Sequence, residues 1–334
     1  MANMPAVKVL STMEDVWDAC RQDLQEVEDQ IRHRIHSDVP LINMVSRQLL
    51  SSGGKRIRPL LLILCSRLFG YPSKEALILG SLIEYIHTAT LLHDDVLDEA
   101  DLRRGKQTAR QLWGNHASIL VGDYLYSQAM HQIAGFHNHG FNEVLADACR
   151  KMAEGEVLQL CANHRSDLTE SEYLQIIEYK TATLIAAACK IGAILGGASP
   201  SEQAALYRFG MNLGMAFQLT DDLLDYEADG ARLGKPLGQD IRQGMITLPL
   251  LHLLKMSSPQ DQQRIRTYLS AGSIGDLEMT DIMTMLRQYD SLTYVLDRSR
   301  EYVDAAQRVL DLVPACSAKH SLAIVACFMV QRDQ

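Results

Sequence analysis

The stretch LIEYIHTATLLHDDVLD, residues 82–98, is an apolar helical run that ends in a cluster of carboxylates. Read with helical periodicity, Asp94 and Asp98 are four apart and share a face, and Asp95 and Asp98 are three apart. Each like-charge pair of this kind costs roughly 0.2–0.5 kcal/mol even when exposed. Beside so apolar a run the site is expected to be partly buried, and the penalty then grows. A divalent cation removes it, and oxygen-only ligands at this density suit Mg²⁺. The pattern returns as QLTDDLLDYEAD at 218–229, with Asp221, Asp222 and Asp225 in the corresponding places. One such element could be a solvated helix end. Two, each late in a long apolar helix, predict carboxylate faces that meet across a cavity and hold a cluster of metal ions.

Working outward, helical periodicity runs nearly end to end. Ser11 and Glu14 have the spacing of a capping box, as do Thr169 and Glu172. Asp38 with Pro40 opens a helix that stops at Gly53-Gly54, and the segment beginning IRPLLLILC ends at Gly70. A single helix is predicted over 172–195, and another starts at Ser199, Pro200 and Glu202 and runs through the second aspartate element. No segment alternates like a strand. The fold class expected is all-α: one large helical bundle domain, residues 1–334, of ten or more helices around a central cavity.

Composition agrees. The chain has 334 residues, 47% hydrophobic but only 6% aromatic, with 9 prolines, which argues against a β-sandwich. Its net charge of -9 argues against general nucleic-acid binding, so any anionic ligand must be met by a few placed cations or by metal. Seven cysteines, an odd count with no C-x-x-C pair, fit free thiols in a reducing cytoplasm. Cys161 and His164 form a lone C-x-x-H, read as structural. The N-terminal stretch lacks the pattern of a signal peptide. No segment supplies the ~20 apolar residues of a membrane span, the longest candidate carrying Lys190 in its middle.

Cations complement the carboxylates. SSGGKRIRPLL, 51–61, sets Lys55, Arg56 and Arg58 after two glycines at a helix start, where backbone and side chains both suit phosphate. Arg103 and Arg104 follow the first aspartate element, and as neighbours they point in different directions and can serve two anions. Lys180-Thr181 interrupts an apolar run, and Lys235 lies in GKPLGQD. Glu84 and His87 form one Glu-x-x-His, but a di-iron bundle needs two, and no other histidine has a Glu three residues before it. His87, about two turns before Asp94, is read instead as a ligand-binding residue. The ligand implied has a diphosphate head and a hydrocarbon body.

GGKRIRP, HDDVLDEADLRRG, GDYLYSQA, the Lys-Thr of EYKTATL, FQLTDDLLDY, GKPLGQD and TLPLL together resemble the trans-isoprenyl diphosphate synthase family, in its order and spacing over roughly residues 50–250. The tract 83–109 is most similar to the long-chain members that make quinone side chains. The resemblance implies the isoprenoid synthase fold. It also implies Mg²⁺-dependent condensation of an allylic diphosphate, such as farnesyl or geranyl diphosphate, with isopentenyl diphosphate. By the same resemblance Asp94, Asp98 and Asp221 ligate Mg²⁺, three ions with substrate bound, and Asp95, Asp222 and Asp225 support them. Arg103, Lys180 and Lys235 hold the allylic diphosphate. Lys55, Arg58, His87 and Arg104 hold isopentenyl diphosphate. Thr181 and Gln218 stabilise the developing cation. Asp94, Asp98, Lys180, Thr181, Gln218 and Asp221 are thus the catalytic set. A homodimer, a cytoplasmic location and a lipophilic product are also implied.

One departure stands out. Met245 occupies a place where the family often has Lys, a loss worth about 1.5–3 kcal/mol unless a neighbour such as Arg242 stands in. The growing chain is expected to pass Ala89 and Thr90, with Tyr126 or Met130 as deeper stops. The small Ala89 predicts a product longer than farnesyl, and the resemblance alone suggests about C40, with C30 to C50 open. A shorter-chain synthase and a non-catalytic subunit of a two-component synthase are the alternatives. A terpene cyclase would lack GGKRIRP and the second aspartate element.

Overall fold

A computed structural model of the chain describes residues 10–50, 54–71, 74–103, 105–163, 165–227, 238–271 and 274–331. Among them helices dominate, as expected. They are α1 (Met13–Ala19), α2 (Arg21–Arg34), α3 (Pro40–Leu50), α4 (Ile57–Arg67), α5 (Lys74–Leu97), α6 (Ala109–Ala134), α7 (His139–Ala162), α8 (Glu170–Ile177), α9 (Thr183–Leu195) and α10 (Pro200–Glu227). After these come α11 (Gln239–Arg242), α12 (Leu248–Met256), α13 (Pro259–Ser270), α14 (Asp276–Gln288), α15 (Ser291–Val309) and α16 (Ser317–Phe328).

The chain divides into two compact units, neither of them a continuous segment. The first comprises residues 1–142, 188–206 and 310–328, and the second 143–187, 207–309 and 329–334. In the first, α5 packs against α2, α4 and α6, and α16 packs against α4 and α1. Most of α4 is buried, from Pro59 through Ser66, which fits its nearly unbroken apolar sequence. Each fully buried leucine there contributes roughly 1.5–3 kcal/mol of transfer free energy. In the second, α12 packs against α8, α14 and α15, over a core that includes Tyr173, Leu219, Leu223, Tyr226, Leu250, Ile282 and Val295.

Four local expectations are corrected. The first capping box is one residue further on: the Thr12 side chain accepts from the Asp15 N–H, and the Asp15 carboxylate accepts from Thr12 N–H. The Thr169–Glu172 box forms as expected. The helix predicted over 172–195 is broken by a π-helical turn, Glu178–Ala182, between α8 and α9. A two-residue antiparallel ribbon, β1 (Leu102–Arg103) with β2 (Lys106–Gln107), forms where no strand was expected; it is too short to show alternation. Finally, α5 is by length and composition apolar enough to cross a membrane, against the expectation that no segment is. Of its most apolar window 72% is buried inside the protein, as in the core helix of a folded domain.

Candidate active site

The first aspartate element sits at the end of α5. The helix closes with a Schellman motif: Ala100 N–H donates to Asp95 C=O (3.0 Å) and Glu99 N–H to Val96 C=O (3.3 Å). Glu99 takes the left-handed conformation usually given to glycine, with φ 49°. Asp98 is therefore the residue just past the helix, held in helical register by its N–H to Asp94 C=O at 2.8 Å. Asp98 is exposed, Asp94 half-buried and Asp95 fully buried. The last turn of α5 carries no basic residue, so these carboxylates add to the negative end of the helix dipole. Arg103 on β1 donates its Nε–H to Asp95 Oδ1 at 2.8 Å. Burial nevertheless pushes the Asp95 pKa up, against the pull of Arg103, and its buried Oδ2 has no hydrogen-bond partner.

The second element lies in the last two turns of α10, again with no basic residue in the final turn. Asp221 is exposed. Asp222 is buried, accepts from the Tyr173 hydroxyl, and accepts from Gln218 Nε2 at 2.7 Å. Burial, helped by the Asp221 and Asp225 charges, pushes its pKa up to about 7 despite these two donors. Asp225 accepts from the N–H groups of Gln239 (3.1 Å) and Asp240 (3.0 Å), so it caps α11.

The Thr181 hydroxyl donates to Gln218 Oε1 at 2.7 Å. The Asp222 carboxylate needs a donor, so it fixes the Gln218 amide with its nitrogen inward and its oxygen towards Thr181. Tyr173, Asp222, Gln218 and Thr181 thus form one hydrogen-bonded chain. Sequence reading named three of these and missed Tyr173, whose only signal was an aromatic in an apolar helix.

Lys180 and Thr181 lie inside the π turn, a distortion often found at functional sites. Two glycines admit it. A Cβ on Gly155 of α7 would fall 2.7 Å from the Lys180 backbone nitrogen, and one on Gly214 of α10 would collide with Ala182. Glu156, next to Gly155, accepts from Lys180 Nζ at 3.0 Å.

The remaining cations are placed as follows. Lys55 is exposed, with Nζ 4.8 Å above the Phe328 ring, and Arg58 and His87 are half-buried. Arg104, Lys235 and His164 lie outside the described residues, as does Gly53. Met245 is half-buried, and its sulfur accepts from Gln159 Nε2 at 2.8 Å. The Arg242 guanidinium donates to Ile274 C=O and to Asp276, both at 2.7 Å. Of the expected chain-length residues, Ala89 is buried, Thr90 and Met130 half-buried, and Tyr126 is 39% exposed on α6.

Among the described residues no three Asp, Glu, His or Cys side chains converge as a ready-made metal cage. Mg²⁺ usually takes one or two carboxylates and completes its shell with water and substrate phosphate, so none is required. Taken separately, each helix end carries clustered carboxylates with no basic residue in its last turn, oxygen donors that fit a hard divalent ion, and the first also has an orphaned buried oxygen on Asp95.

A family model described as polyprenyl synthetase matches residues 39–286. The chain is 41% identical over 322 residues to octaprenyl diphosphate synthase of Escherichia coli (strain K12), covering 96% of this chain and 99% of that protein. A crystal structure of a decaprenyl diphosphate synthase from Rhodobacter capsulatus is similar at 36% identity, covering 96% of this chain and 99% of that one, with a TM-score of 0.91. A polyprenyl synthase from Caulobacter crescentus CB15, complexed with calcium and isoprenyl diphosphate, is similar at 37% identity, covering 98% and 99%, also with a TM-score of 0.91.

Proposed function

The chain belongs to the polyprenyl synthetase family, and from that premise we propose how its residues carry out the reaction. It is a prenyltransferase that elongates an allylic diphosphate with isopentenyl diphosphate to a long-chain polyprenyl diphosphate. The observation that carries the residue-level reading is the chain Tyr173–Asp222–Gln218–Thr181. Thr181 and Gln218, expected to stabilise the cation, are joined there by hydrogen bonds to each other and to Asp222, expected to support the metal.

In this reading Arg103 and Lys180 hold the allylic diphosphate, with Lys235. Lys55, Arg58 and His87 receive isopentenyl diphosphate, with Arg104. The carboxylates of both aspartate elements take divalent metal, Mg²⁺ as three ions with substrate bound. The calcium in the Caulobacter relative supports a divalent ion. When bound, the metal neutralises charge building on the leaving diphosphate. Lys180 and Arg103 add fixed positive charge to the same leaving group. As the allylic C–O bond breaks, the Gln218 and Thr181 oxygens present partial negative charge to the carbocation. The double bond of isopentenyl diphosphate then attacks, and the proton released goes to the departed diphosphate.

The product is about C40, on family analogy, and serves quinone side chains. The enzyme works as a single catalytic domain, since neither compact unit is continuous in sequence. It is a homodimer through α6, whose segment after the non-helical Gly114 carries the exposed apolar side chains Ile119, Leu120 and Tyr126. Seven free cysteines fit a cytoplasmic location.

The deciding experiment incubates the protein with farnesyl diphosphate, excess isopentenyl diphosphate and Mg²⁺, and sizes products by mass spectrometry. A ladder ending at one dominant length, abolished by EDTA, is expected. Asp94→Ala and Asp221→Ala should each abolish turnover while the circular-dichroism melt stays near wild type. Full turnover in either variant would refute the metal assignment.

A further inference from the structure

Glu84 lies one helical turn before His87 in α5, and the reaction as derived gives it no work. It is 3% exposed, a costly place for a lone carboxylate. Its Oε2 accepts from Arg56 Nη1 at 2.8 Å, and Arg56 Nε donates to Glu28 of α2 at 2.5 Å. The Arg56 side chain is only 10% exposed. Its backbone, at φ 45° and ψ 41°, is in the left-handed region that a residue with a Cβ adopts at a cost. Arg56 is the N-cap residue of α4, and its C=O accepts from Leu60 N–H at 3.0 Å. It stands between Lys55 and the first turn of α4, which carries Arg58.

We propose that Arg56, clamped by Glu28 and Glu84, is a positioning residue for isopentenyl diphosphate: it holds Lys55 and Arg58 in register with His87. The inference rests on the reading that these three residues receive that substrate. The left-handed turn at Arg56 sets the direction in which Lys55 leaves the start of α4. Two carboxylates on two helices hold the guanidinium, and the strained backbone is kept by that double anchorage. Since Glu84 and His87 share a helix, the clamp ties the basic loop to α5. A binding site for a multiply charged anion loses affinity steeply when its cations shift by even an ångström.

The test compares Glu84→Gln, Glu84→Asp and Arg58→Gln by steady-state kinetics and thermal melting. Glu84→Gln should raise KM for isopentenyl diphosphate about tenfold or more and leave KM for the allylic primer within about twofold. Glu84→Asp, which keeps the charge, should recover part of that loss. Should Glu84→Gln fail to fold, Glu28→Gln, at the more exposed partner, gives the same readout. A lowered melting temperature with both KM values at wild type, or an equal rise in both, overturns the proposal and leaves Arg56 a structural tie. Arg58→Gln separates the two layers. If it raises KM for isopentenyl diphosphate and the Glu84 variants do not, only the clamp is refuted. If it too has no effect, the subsite reading falls and the clamp with it.

Discussion

Asp222 shows how one residue couples stability to function. Its pKa is raised from 3.8 to about 7, mainly by burial. The folded protein therefore holds this proton more tightly than the unfolded chain. The contribution to stability is present in full below about pH 4 and is lost as pH climbs through about 7. In metal-free protein, Asp222→Asn should raise the melting temperature at pH 8 and flatten its fall between pH 5 and 8, because no charge is then buried. The Tyr173 hydroxyl can rotate to accept from the new amide. Turnover should fall at the same time, since the substitution removes a carboxylate proposed to support the metal. Scanning calorimetry across pH with EDTA, beside product assays, checks both. Ala89 carries a second prediction at this scale. It is 2% exposed on α5, so Ala89→Phe adds bulk where there is no room to turn aside. Mass spectrometry should find a shorter dominant product, and an unchanged length would place the growing chain elsewhere.

At the scale of elements, the π turn at Glu178–Ala182 depends on its neighbours more than on its own sequence. EYKTATL reads as ordinary amphipathic helix, and nothing in it announces an i→i+5 hydrogen bond. The turn is accommodated because Gly155 and Gly214 let α7 and α10 come against its backbone. Gly155→Ala should therefore cost about 1–3 kcal/mol in denaturant unfolding, the usual penalty of overpacking. It should also lower kcat by displacing Lys180 and Thr181. Equal kcat in a destabilised variant would mean that the turn is only a packing feature. The aspartate elements were legible because two DD-x-L-D clusters after apolar runs leave few other readings. The ties of Asp95 to Arg103 and of Asp225 to the start of α11 were not, since the partners come from a ribbon and a short helix without periodicity.

On the whole molecule, the part of α6 that follows a kink at the non-helical Gly114 exposes Ile119 (40%), Leu120 (65%) and Tyr126 (39%). Scattered exposed leucines need no explanation, and it is their grouping on one helical segment that supports the proposed dimer. Leu120→Glu should convert a dimer to monomer in analytical ultracentrifugation, with activity falling in step. A monomeric wild type would remove the dimer proposal and leave the chemistry untouched.

The sequence by itself determined the all-helical class, the helix starts at Thr169 and Ser199, and the two acidic clusters. Periodicity and capping are local, each carried by a short stretch of consecutive residues. Only the tertiary structure decided which cations are engaged and with what. Arg242 goes to Asp276, Lys180 to Glu156, and Arg56 to Glu28 and Glu84. Each of these pairs joins residues more than twenty positions apart in the chain, so its energy depends on how helices pack and not on any pattern within one of them.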